Sequence, residues 1–459
     1  MSRQGGWAAR RSTGWRAVAG GGRAGDEPPR YGAIGSASGA GAAGAGAPRY
    51  GRRFVLGLGA GLLLAACSGS AEDVLPPPGA DASSLRVVMG LAESEWRVVR
   101  EVVLAPFEQQ TGVTVVPVQM EAADLVRQLD AQVQAGAVSI DLFTQDNNQL
   151  APLVAKGLVE DLTPYADLIP AETPQALRPV LEFDGRLYFL PYRPNVQITY
   201  WLEQHFARYG LTPPHTWDEL LAVGREFERR EKFGRVVIQG VPGGPVGVVV
   251  TEFLWQGDGD PLDLGTPGSA RAFEFLQQLE PYLSPVYQTA KFDTINTYLA
   301  SETAYLGQNW PFGADVIVKQ YRKPDVGAYS GWAGPAGEVH VLGGEVIGIP
   351  KGTPHRDLAL QFARFLMSRP VQEALVQRLA WPPMRDDAFG AVADWQQPFF
   401  AAVQAALRQA RARPNVVYWG EVERILSDAF RDIVTNKQPV QPSLARYQAQ
   451  IEQARAAAR

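Results

Sequence analysis

Three short apolar runs near the start of the acidic part of the chain decide the fold class. They are LRVVMG (85–90), VTVVPV (113–118) and IDLFT (140–144), and two longer segments with helical periodicity separate them. β-Branched residues dominate the runs, and strands that alternate with helices at this spacing favour parallel pairing. The sequence therefore predicts an α/β fold in which helices cover a parallel sheet.

The ends of these strands carry polar side chains. The first run is followed by ESEW (93–96), and the third closes on DNN (146–148). In parallel sheets ligands bind beyond the carboxyl ends of the strands, so Glu93 and Asn147 are ligand candidates. Tyr192 and Arg193 follow a hinge-like turn and are candidates for the same reason.

Composition and charge exclude several classes of protein. The chain has 459 residues, of which 46% are hydrophobic and 20% charged, so it is neither a disordered chain, a coiled coil nor a disulfide mini-protein. Residues 1–66 contain nine Arg and two acids and carry +7, whereas the other 34 basic and 46 acidic residues give −12. An acidic body repels phosphate backbones, so no nucleic-acid partner is expected.

An export segment explains this asymmetry. FVLGLGAGLLLAA (54–66) follows Arg52-Arg53 and is too short to span a bilayer, which predicts a signal peptide over 1–66 with a long basic n-region. LAAC (64–67) resembles the lipobox of bacterial lipoproteins, which implies diacylation of Cys67, the only cysteine; the alternative is a free cysteine that ends an apolar run. A tether over 67–84 would then hold the protein at the outer face of the cytoplasmic membrane or in the periplasm. RRFVL (52–56) also resembles a twin-arginine signal, so the export route stays open.

Later segments, taken in order, resemble the extracellular solute-binding proteins of carbohydrate ABC importers, such as maltose- and trehalose-binding proteins. The resemblance covers nearly the whole chain after the tether. It is carried by GLVEDL (157–162), FDGRLYFLPY (183–192), TWDEL (216–220), NWP (309–311), GGEVIGIPKG (343–352), SRPVQ (368–372) and PMR (383–385).

The resemblance implies a two-lobed periplasmic-binding-protein fold (type II) with the ligand in a cleft between the lobes. The first lobe would hold 85–192 and 344–381, and the second 193–343 and 382–459. It also implies a carbohydrate ligand, permease subunits of an ABC importer as partners, a monomeric state, and no cofactor, metal or catalytic residue.

Aromatic residues are the expected platforms for a sugar ring, whose C–H face is apolar. Trp310 is the first choice, because the family carries an aromatic at that place. Trp255 and Trp332 fit ligand contact and core packing equally well, and Trp381 and Trp419 lie where the family folds the chain over the cleft. Trp217 is expected to pack at a helix start instead, where Thr216 and Glu219 form a capping box.

Two further charged residues complete the candidate site. Glu345 follows Gly343-Gly344 and precedes an apolar strand, where an acid is costly to bury without a partner. Because the family often has Trp or Ser there, Glu345 is expected to mark a particular ligand. Arg385 is expected to pair with Glu345 or with a sugar hydroxyl, or to be a plain surface arginine.

Other functions find less support in the sequence. The four histidines have no metal-ligand spacing and are expected at the surface, and Asp258, Asp260 and Asp263 read as a solvated turn rather than a calcium loop. A lipid-anchored glycoside hydrolase would need two carboxylates in an aromatic cleft, but the chain lacks an eight-fold strand–helix repeat. A polyamine, peptide or glycerol phosphate ligand on the same fold is a third possibility.

Overall fold

The computed structural model describes residues 84–458. The predicted signal peptide, the lipidation site Cys67 and the tether before Ser84 lie outside the described residues. Within them, no helix is both long enough and apolar enough to cross a membrane.

The strands are numbered in chain order. They are β1 Ser84–Met89, β2 Thr114–Gln119, β3 Leu142–Asp146, β4 Glu182–Phe183, β5 Arg186–Leu187, β6 Phe189–Val196, β7 Ile198–Leu202, β8 Val236–Val237, β9 Leu306–Asn309, β10 Val326–Tyr329, β11 His340–Gly348 and β12 Ala410–Ala412.

The α-helices are numbered in the same way. They are α1 Glu93–Val99, α2 Ala105–Thr111, α3 Ala122–Gln134, α4 Ala151–Ala155, α5 Glu203–Tyr209, α6 Trp217–Glu231, α7 Gly244–Gln256, α8 Pro267–Leu279, α9 Phe292–Ala300, α10 Gly313–Asp315, α11 Arg356–Leu366, α12 Arg369–Leu379, α13 Gln397–Arg408, α14 Trp419–Ala429 and α15 Val440–Ala457.

Shorter helical turns lie between these elements. The 3₁₀ turns are Thr163–Leu168, Gln175–Val180, Glu280–Tyr282, Pro285–Thr289, Asp386–Ala388 and Asp394–Gln396, and the π turns are Arg100–Leu104, Val316–Gln320 and Phe430–Thr435. The first π turn joins α1 to α2 just before Pro106, which cannot donate a hydrogen bond to the preceding turn.

The larger sheet confirms the predicted parallel arrangement. β1 lies between β2 and β3 and pairs with both in parallel. β11 is antiparallel to β3 and to β6, and its first residues pair in parallel with β12. The three predicted strands and the helices between them therefore occupy their expected places.

A smaller sheet has the order β10-β7-β9-β8. The chain passes from the larger sheet to the smaller one across a single residue, because β6 ends at Val196 and β7 begins at Ile198. The residue between them, Gln197, is 2% exposed. Helix α13 contacts strands of both sheets, namely β6 and β11 of the larger and β7 and β10 of the smaller.

The predicted cap of α6 is present. The Glu219 backbone N–H donates to the Thr216 hydroxyl at 3.2 Å, and the Glu219 carboxylate accepts from the His215 backbone N–H, one residue earlier than a capping box requires. Trp217 is buried and stacks on Phe275 with 4.4 Å between the ring centroids. Its predicted packing role is confirmed.

The prediction that His340 lies at the surface is wrong. Two carboxylates beside its ring stabilise the buried side chain. His340, at the start of β11, is fully buried. Its Nδ1 lies 3.4 Å from Glu252 and its Nε2 2.8 Å from Glu338. Burial by itself lowers the pKa of His340, but these carboxylates outweigh it and raise the pKa to about 9.

The aspartates after α7 form a turn, as expected. Asp260 accepts a hydrogen bond from the Leu262 N–H and Asp263 from the Gly265 N–H, each two residues ahead. Within residues 84–458 no group of three or more His, Cys, Asp or Glu side chains is placed to hold a metal ion.

Candidate ligand-binding site

Three neighbouring strands bring Arg193, Glu345 and Asp146 to one level of the larger sheet. Arg193 on β6 and Asp146 at the end of β3 are both register partners of Glu345 on β11. The Arg193 guanidinium lies 3.2 Å from the Glu345 carboxylate (Nη2 to Oε1). Exposure is 22% for the Arg193 side chain and 12% for the Glu345 side chain, so the pair is largely removed from water.

A glycine with positive φ and a bulge shape the pairing of β11 with β6 at this point. Gly344 has φ +97°, and a Cβ there would lie 2.0 Å from the Arg193 carbonyl oxygen. The pairing with β6 shifts register between Glu345 and Val346, which is a bulge. The extra residue is Tyr192 on β6, because Glu345 pairs with Arg193 and Val346 pairs with Pro191. Bulges re-aim side chains of the strand that carries the extra residue, here beside Arg193.

Glu95, which the sequence analysis did not select, joins this pair from the first turn of α1. Its Oε1 lies 3.5 Å from Arg193 Nη1, and its Oε2 accepts from the Ala92 N–H at 2.8 Å. Glu93 pairs instead with Arg100 at 2.9 Å and is 74% exposed. Residues two apart on a helix face different directions, so only one of the two acids can reach Arg193. A carboxylate three residues after a helix start was the available signal for Glu95.

Trp381 covers the other side of Arg193. The guanidinium carbon lies 4.3 Å from the centre of the Trp381 ring, and Trp381 Nε1 donates to Glu95 Oε1 at 3.2 Å. Tyr192 meets the ring edge-on at 6.1 Å, is buried, and has a raised pKa because of that burial. The structure therefore brings three predicted residues, Tyr192, Arg193 and Trp381, together with Glu345.

A second ion pair lies beside Asn147. Arg413, in the loop after β12, is 3.0 Å from Glu423 of α14, and its Nη2 is 3.5 Å from Asn147 Oδ1. The Asn147 side chain also donates to the Leu342 carbonyl at 3.2 Å, which fixes it against β11. The sequence analysis missed Arg413 and Glu423, because no local motif marks either residue.

We call six residues the charged cluster: Glu95, Asp146, Arg193, Glu345, Arg413 and Glu423. Burial raises the pKa of Glu345, against the lowering effect of Arg193. Burial likewise raises the pKa of Asp146, which Arg413 and Arg193 lower in part. For Arg193 burial acts to lower the pKa, but Glu345 and the other acidic neighbours raise it overall.

Trp310 lies against the same strand. A Cβ on Gly343 would come within 2.7 Å of Trp310 Cη2, so the indole ring packs directly on the β11 backbone. The Tyr200 hydroxyl donates to the Trp310 carbonyl at 3.0 Å. The ring is partly buried against a small apolar cluster that includes Trp255. Trp255 is 4% exposed and lies under the Arg411 guanidinium. It belongs to the apolar cluster on which Trp310 packs.

Other sequence-predicted candidates lie elsewhere. Trp332 is fully buried against Phe253, and Trp419 is 2% exposed; both belong to the main hydrophobic core. Arg385 pairs with Asp387 at 2.8 Å and Glu172 at 3.2 Å, so the pairing with Glu345 expected for it is made by Arg193 instead.

The space inside the site is small. A cavity of about 10 Å³ is lined by Asn147, Tyr192, Gly343, Glu345 and neighbouring apolar residues. Such a volume accommodates about one water molecule, whereas ligand pockets usually measure about 300 Å³ or more. A sugar-sized molecule would therefore require the groups around Arg193 to move apart.

A wider depression of about 420 Å³ contains none of these residues. It is lined by Glu160 and residues 353–358, at the start of α11. Asp141 beside it is buried and accepts hydrogen bonds from the Thr353 hydroxyl and from the Arg86 backbone, so its carboxylate is fully engaged in structure. This depression offers a ligand no aromatic platform.

The chain is similar to known binding proteins over most of its length. Residues 103–401 match the family of bacterial extracellular solute-binding proteins. A Sinorhizobium fredii protein named as a probable amino-acid ABC transporter periplasmic-binding protein is 24% identical over 279 residues. That match covers 57% of this chain and 64% of the relative, so the chain spans less than two thirds of that relative's length.

Solved structures share the fold at lower identity. The sugar-binding protein MalE of Xanthomonas citri superposes with a TM-score of 0.71 at 17% identity, covering 82% of this chain and 98% of that one. UgpB of Mycobacterium tuberculosis, in complex with glycerophosphocholine, gives 0.67 at 17% identity, with 83% and 99% covered. These matches confirm the predicted two-lobed α/β fold. With the family match over well over half of its residues, the chain belongs to the bacterial extracellular solute-binding proteins.

Proposed function

We propose that this protein is the receptor of an ABC importer that captures a mono- or oligosaccharide and delivers it unchanged to the membrane permease. The observation that carries this proposal is the charged cluster around Arg193 of β6 and Glu345 of β11, flanked by the indoles of Trp381 and Trp310. Carboxylates, guanidiniums and an amide are the groups that bind sugar hydroxyls, and an indole is a platform for a sugar ring.

The proposed ligand residues are those that the structure places around this cluster. They are Asn147, Tyr192, Arg193, Trp310, Glu345 and Trp381 from the sequence, together with Glu95, Asp146 and Arg413. Trp255 acts as support beneath Trp310. Glu93, Trp332, Arg385 and Trp419 are left out of this set, because they are exposed or engaged elsewhere.

The names of the relatives favour a sugar as the ligand but do not identify which ligand this protein binds. MalE of X. citri is a sugar-binding protein by name, but UgpB was crystallised with glycerophosphocholine and the S. fredii relative is named for amino acids. A phosphate ligand needs converging cations or helix N-termini. In the charged cluster four carboxylates face two guanidiniums, which disfavours an anionic ligand.

The proposed mechanism is hinge closure. Arg193 and Glu345 lie on the two strands that lead from one sheet toward the other, and β6 passes into β7 across Gln197 alone. Lobes over 85–192 with 344–381 and over 193–343 with 382–459 are consistent with that crossing. A ligand that contacts both lobes would bind the closed state more tightly than the open state and so favour closure. The closed form would then dock on the permease.

The cellular setting belongs to the same proposal. Export by the segment 54–66 and diacylation at Cys67 would hold a monomeric receptor at the outer face of the cytoplasmic membrane, or in the periplasm. The family description as extracellular supports export.

A binding assay tests the function. Residues 68–459 are titrated with mono-, di- and trisaccharides, polyamines and glycerol phosphates, and thermal unfolding is recorded. A ligand at 100 times its Kd adds about 2.7 kcal/mol to the free energy of unfolding, which is a visible shift. A shift with one sugar that is recovered intact supports the receptor. Recovery of a cleaved sugar would favour the hydrolase, and shifts restricted to other solutes would exclude a sugar receptor.

A further inference from the structure

The charged cluster contains more negative than positive groups. The side chains that act on one another are the carboxylates of Glu95, Asp146, Glu345 and Glu423 and the guanidiniums of Arg193 and Arg413. With every group ionised the cluster carries −2. A net charge that is partly buried is unfavourable unless something of opposite sign lies close to it.

The excess is concentrated on Glu345. Its Oε1 faces Arg193, whereas its Oε2 is buried and makes no hydrogen bond of good geometry among the described residues. The Thr144 hydroxyl, which also lacks such a bond, lies close enough to lower the pKa of Glu345. The side chain lines the small cavity together with Asn147 and Gly343. A buried carboxylate oxygen without a donor is rare in folded proteins, so Glu345 Oε2 is a group that a donor on a bound ligand would satisfy.

Asp146 contributes the second uncompensated charge. Within residues 84–458 its carboxylate makes no hydrogen bond and no ion pair, although it is the register partner of Glu345. The nearest cations are Arg413 and Arg193. Arg413 is already paired with Glu423, and Arg193 with Glu345 and Glu95. Among the described residues, Asp146 is therefore close to two guanidiniums but forms an ion pair with neither.

We infer that the solute carries a protonated amino group that binds between Glu345 and Asp146, so that the ligand class is an amino sugar rather than a neutral sugar. This inference rests on the proposed sugar-receptor function and specifies its substrate. An ammonium donates three hydrogen bonds, and it would supply the donor that Glu345 Oε2 lacks.

The aromatic groups determine where the cation binds. The ring of Trp381 is already covered by the Arg193 guanidinium at 4.3 Å, so a second cation is expected at the carboxylates and not on that ring. Among residues 84–458 no cation lies over the ring of Trp310, which is only partly buried. Its indole is the platform left for the sugar ring, while the amino group lies toward β11.

The experiment compares sugars that differ in one substituent. Isothermal titration of residues 68–459 uses glucosamine, galactosamine and chitosan disaccharide, each beside its N-acetylated form and beside glucose, galactose or cellobiose. At least one amine is expected to bind about tenfold or more tightly than both of its neutral counterparts, as a charge-assisted contact would give.

Variants then test the position of the contact. Glu345→Gln is expected to bring the preference for the amine over its neutral counterparts below about threefold, whatever its effect on the affinity for both. Asp146→Asn is the second variant and is expected to reduce the preference in the same way; circular dichroism checks that each variant is folded. Glu203→Gln, an exposed acid in the first turn of α5, is the matched control and should keep the full preference.

The outcomes separate this inference from the proposed function. A neutral sugar that binds as tightly as its amine overturns the inference and leaves the sugar receptor intact. An amine preference that survives in both Glu345→Gln and Asp146→Asn overturns the assigned position. Binding of spermidine or putrescine without any sugar, or no binding at all, overturns the inference together with the sugar-receptor function.

Discussion

Arg193 and Glu345 are register partners on β6 and β11, and their side chains form an ion pair of 3.2 Å at the bulge where β11 changes its pairing. The two residues are far apart in the sequence, yet each lies on a strand next to a change of sheet. An ion pair at such a place can respond to lobe movement, because both of its members belong to the crossing region. This relationship leads to the first prediction.

Arg193→Gln should destabilise the protein, whereas Glu345→Gln should be close to neutral or stabilising. Removal of Arg193 leaves Glu345 and Glu95 without their cation, at a cost of about 2 kcal/mol for a partly exposed pair. Removal of the Glu345 charge leaves Arg193 paired with Glu95 and reduces the negative excess. The urea midpoints of both variants check this asymmetry. Equal losses of stability in the two variants would show that the charged cluster has no excess of negative charge.

Trp310→Ala should weaken sugar binding strongly and lower the melting temperature of the ligand-free protein by only a few degrees. The ring is partly buried on Gly343 and Trp255, so its loss leaves no closed core cavity. Trp395→Ala removes another partly buried indole that lies outside the charged cluster, and it should leave binding unchanged. A large loss of ligand-free stability for Trp310→Ala would assign Trp310 to core packing.

Gly343→Ala should displace Trp310 and reduce ligand affinity. The added methyl group would lie 2.7 Å from the indole, and overpacking of this kind costs about 1–3 kcal/mol. Gly390→Ala is the matched control, since a Cβ there meets nothing within 4 Å. Tryptophan fluorescence and sugar titration measure the two effects. An unchanged ligand affinity in Gly343→Ala would show that binding does not depend on the position of the Trp310 ring.

Stability should fall between about pH 6.5 and pH 9 because of His340. Its pKa in the folded state, about 9, is above the unfolded value of 6.5, so its contribution is complete below pH 6.5 and disappears as the pH rises through 9. The shift corresponds to about 3 kcal/mol at most.

Thermal unfolding of wild type and His340→Asn at pH 6, 7.5 and 9 measures this contribution. The difference between the two proteins should shrink as the pH rises. A constant difference for His340→Asn would mean that His340 does not change its protonation over this range.

Cys67→Ser should release the protein from the membrane fraction, because diacylation supplies the two chains that stable anchoring needs. Metabolic labelling with palmitate, followed by fractionation, measures this. The wild type should be labelled and sediment with membranes, and the variant should be unlabelled. Labelling of Cys67→Ser would place the anchor elsewhere.

The sequence predicted the elements but not their side-chain partners. The runs at 85–90, 113–118 and 140–144 mark parallel strands because short apolar runs rich in β-branched residues, and the helical segments between them, are local properties of the sequence. The strand-end rule also led to Asn147. It selected Glu93 instead of Glu95, because the choice between two acids in one helical turn depends on where Arg193 lies.

The tryptophans also show that the sequence predicts local structure but not the partners of a side chain. Trp310, Trp332, Trp381 and Trp419 all stand beside turn signals in the sequence, yet Trp332 and Trp419 are core residues and Trp381 covers Arg193. Whether a large ring is buried depends on which distant segments pack on it, and a local pattern contains no such information.

The sequence by itself determined the α/β class, the order of strands and helices, and the strand ends at which polar groups gather, because each follows from periodicity and turn chemistry within a few residues. Only the tertiary structure decided that Arg193 pairs with Glu345 and Glu95, that Arg413 pairs with Glu423, and that Asp146 forms an ion pair with neither arginine. Ion pairs form where strands and helices distant in sequence meet, so the charge balance of the site is a property of the folded chain.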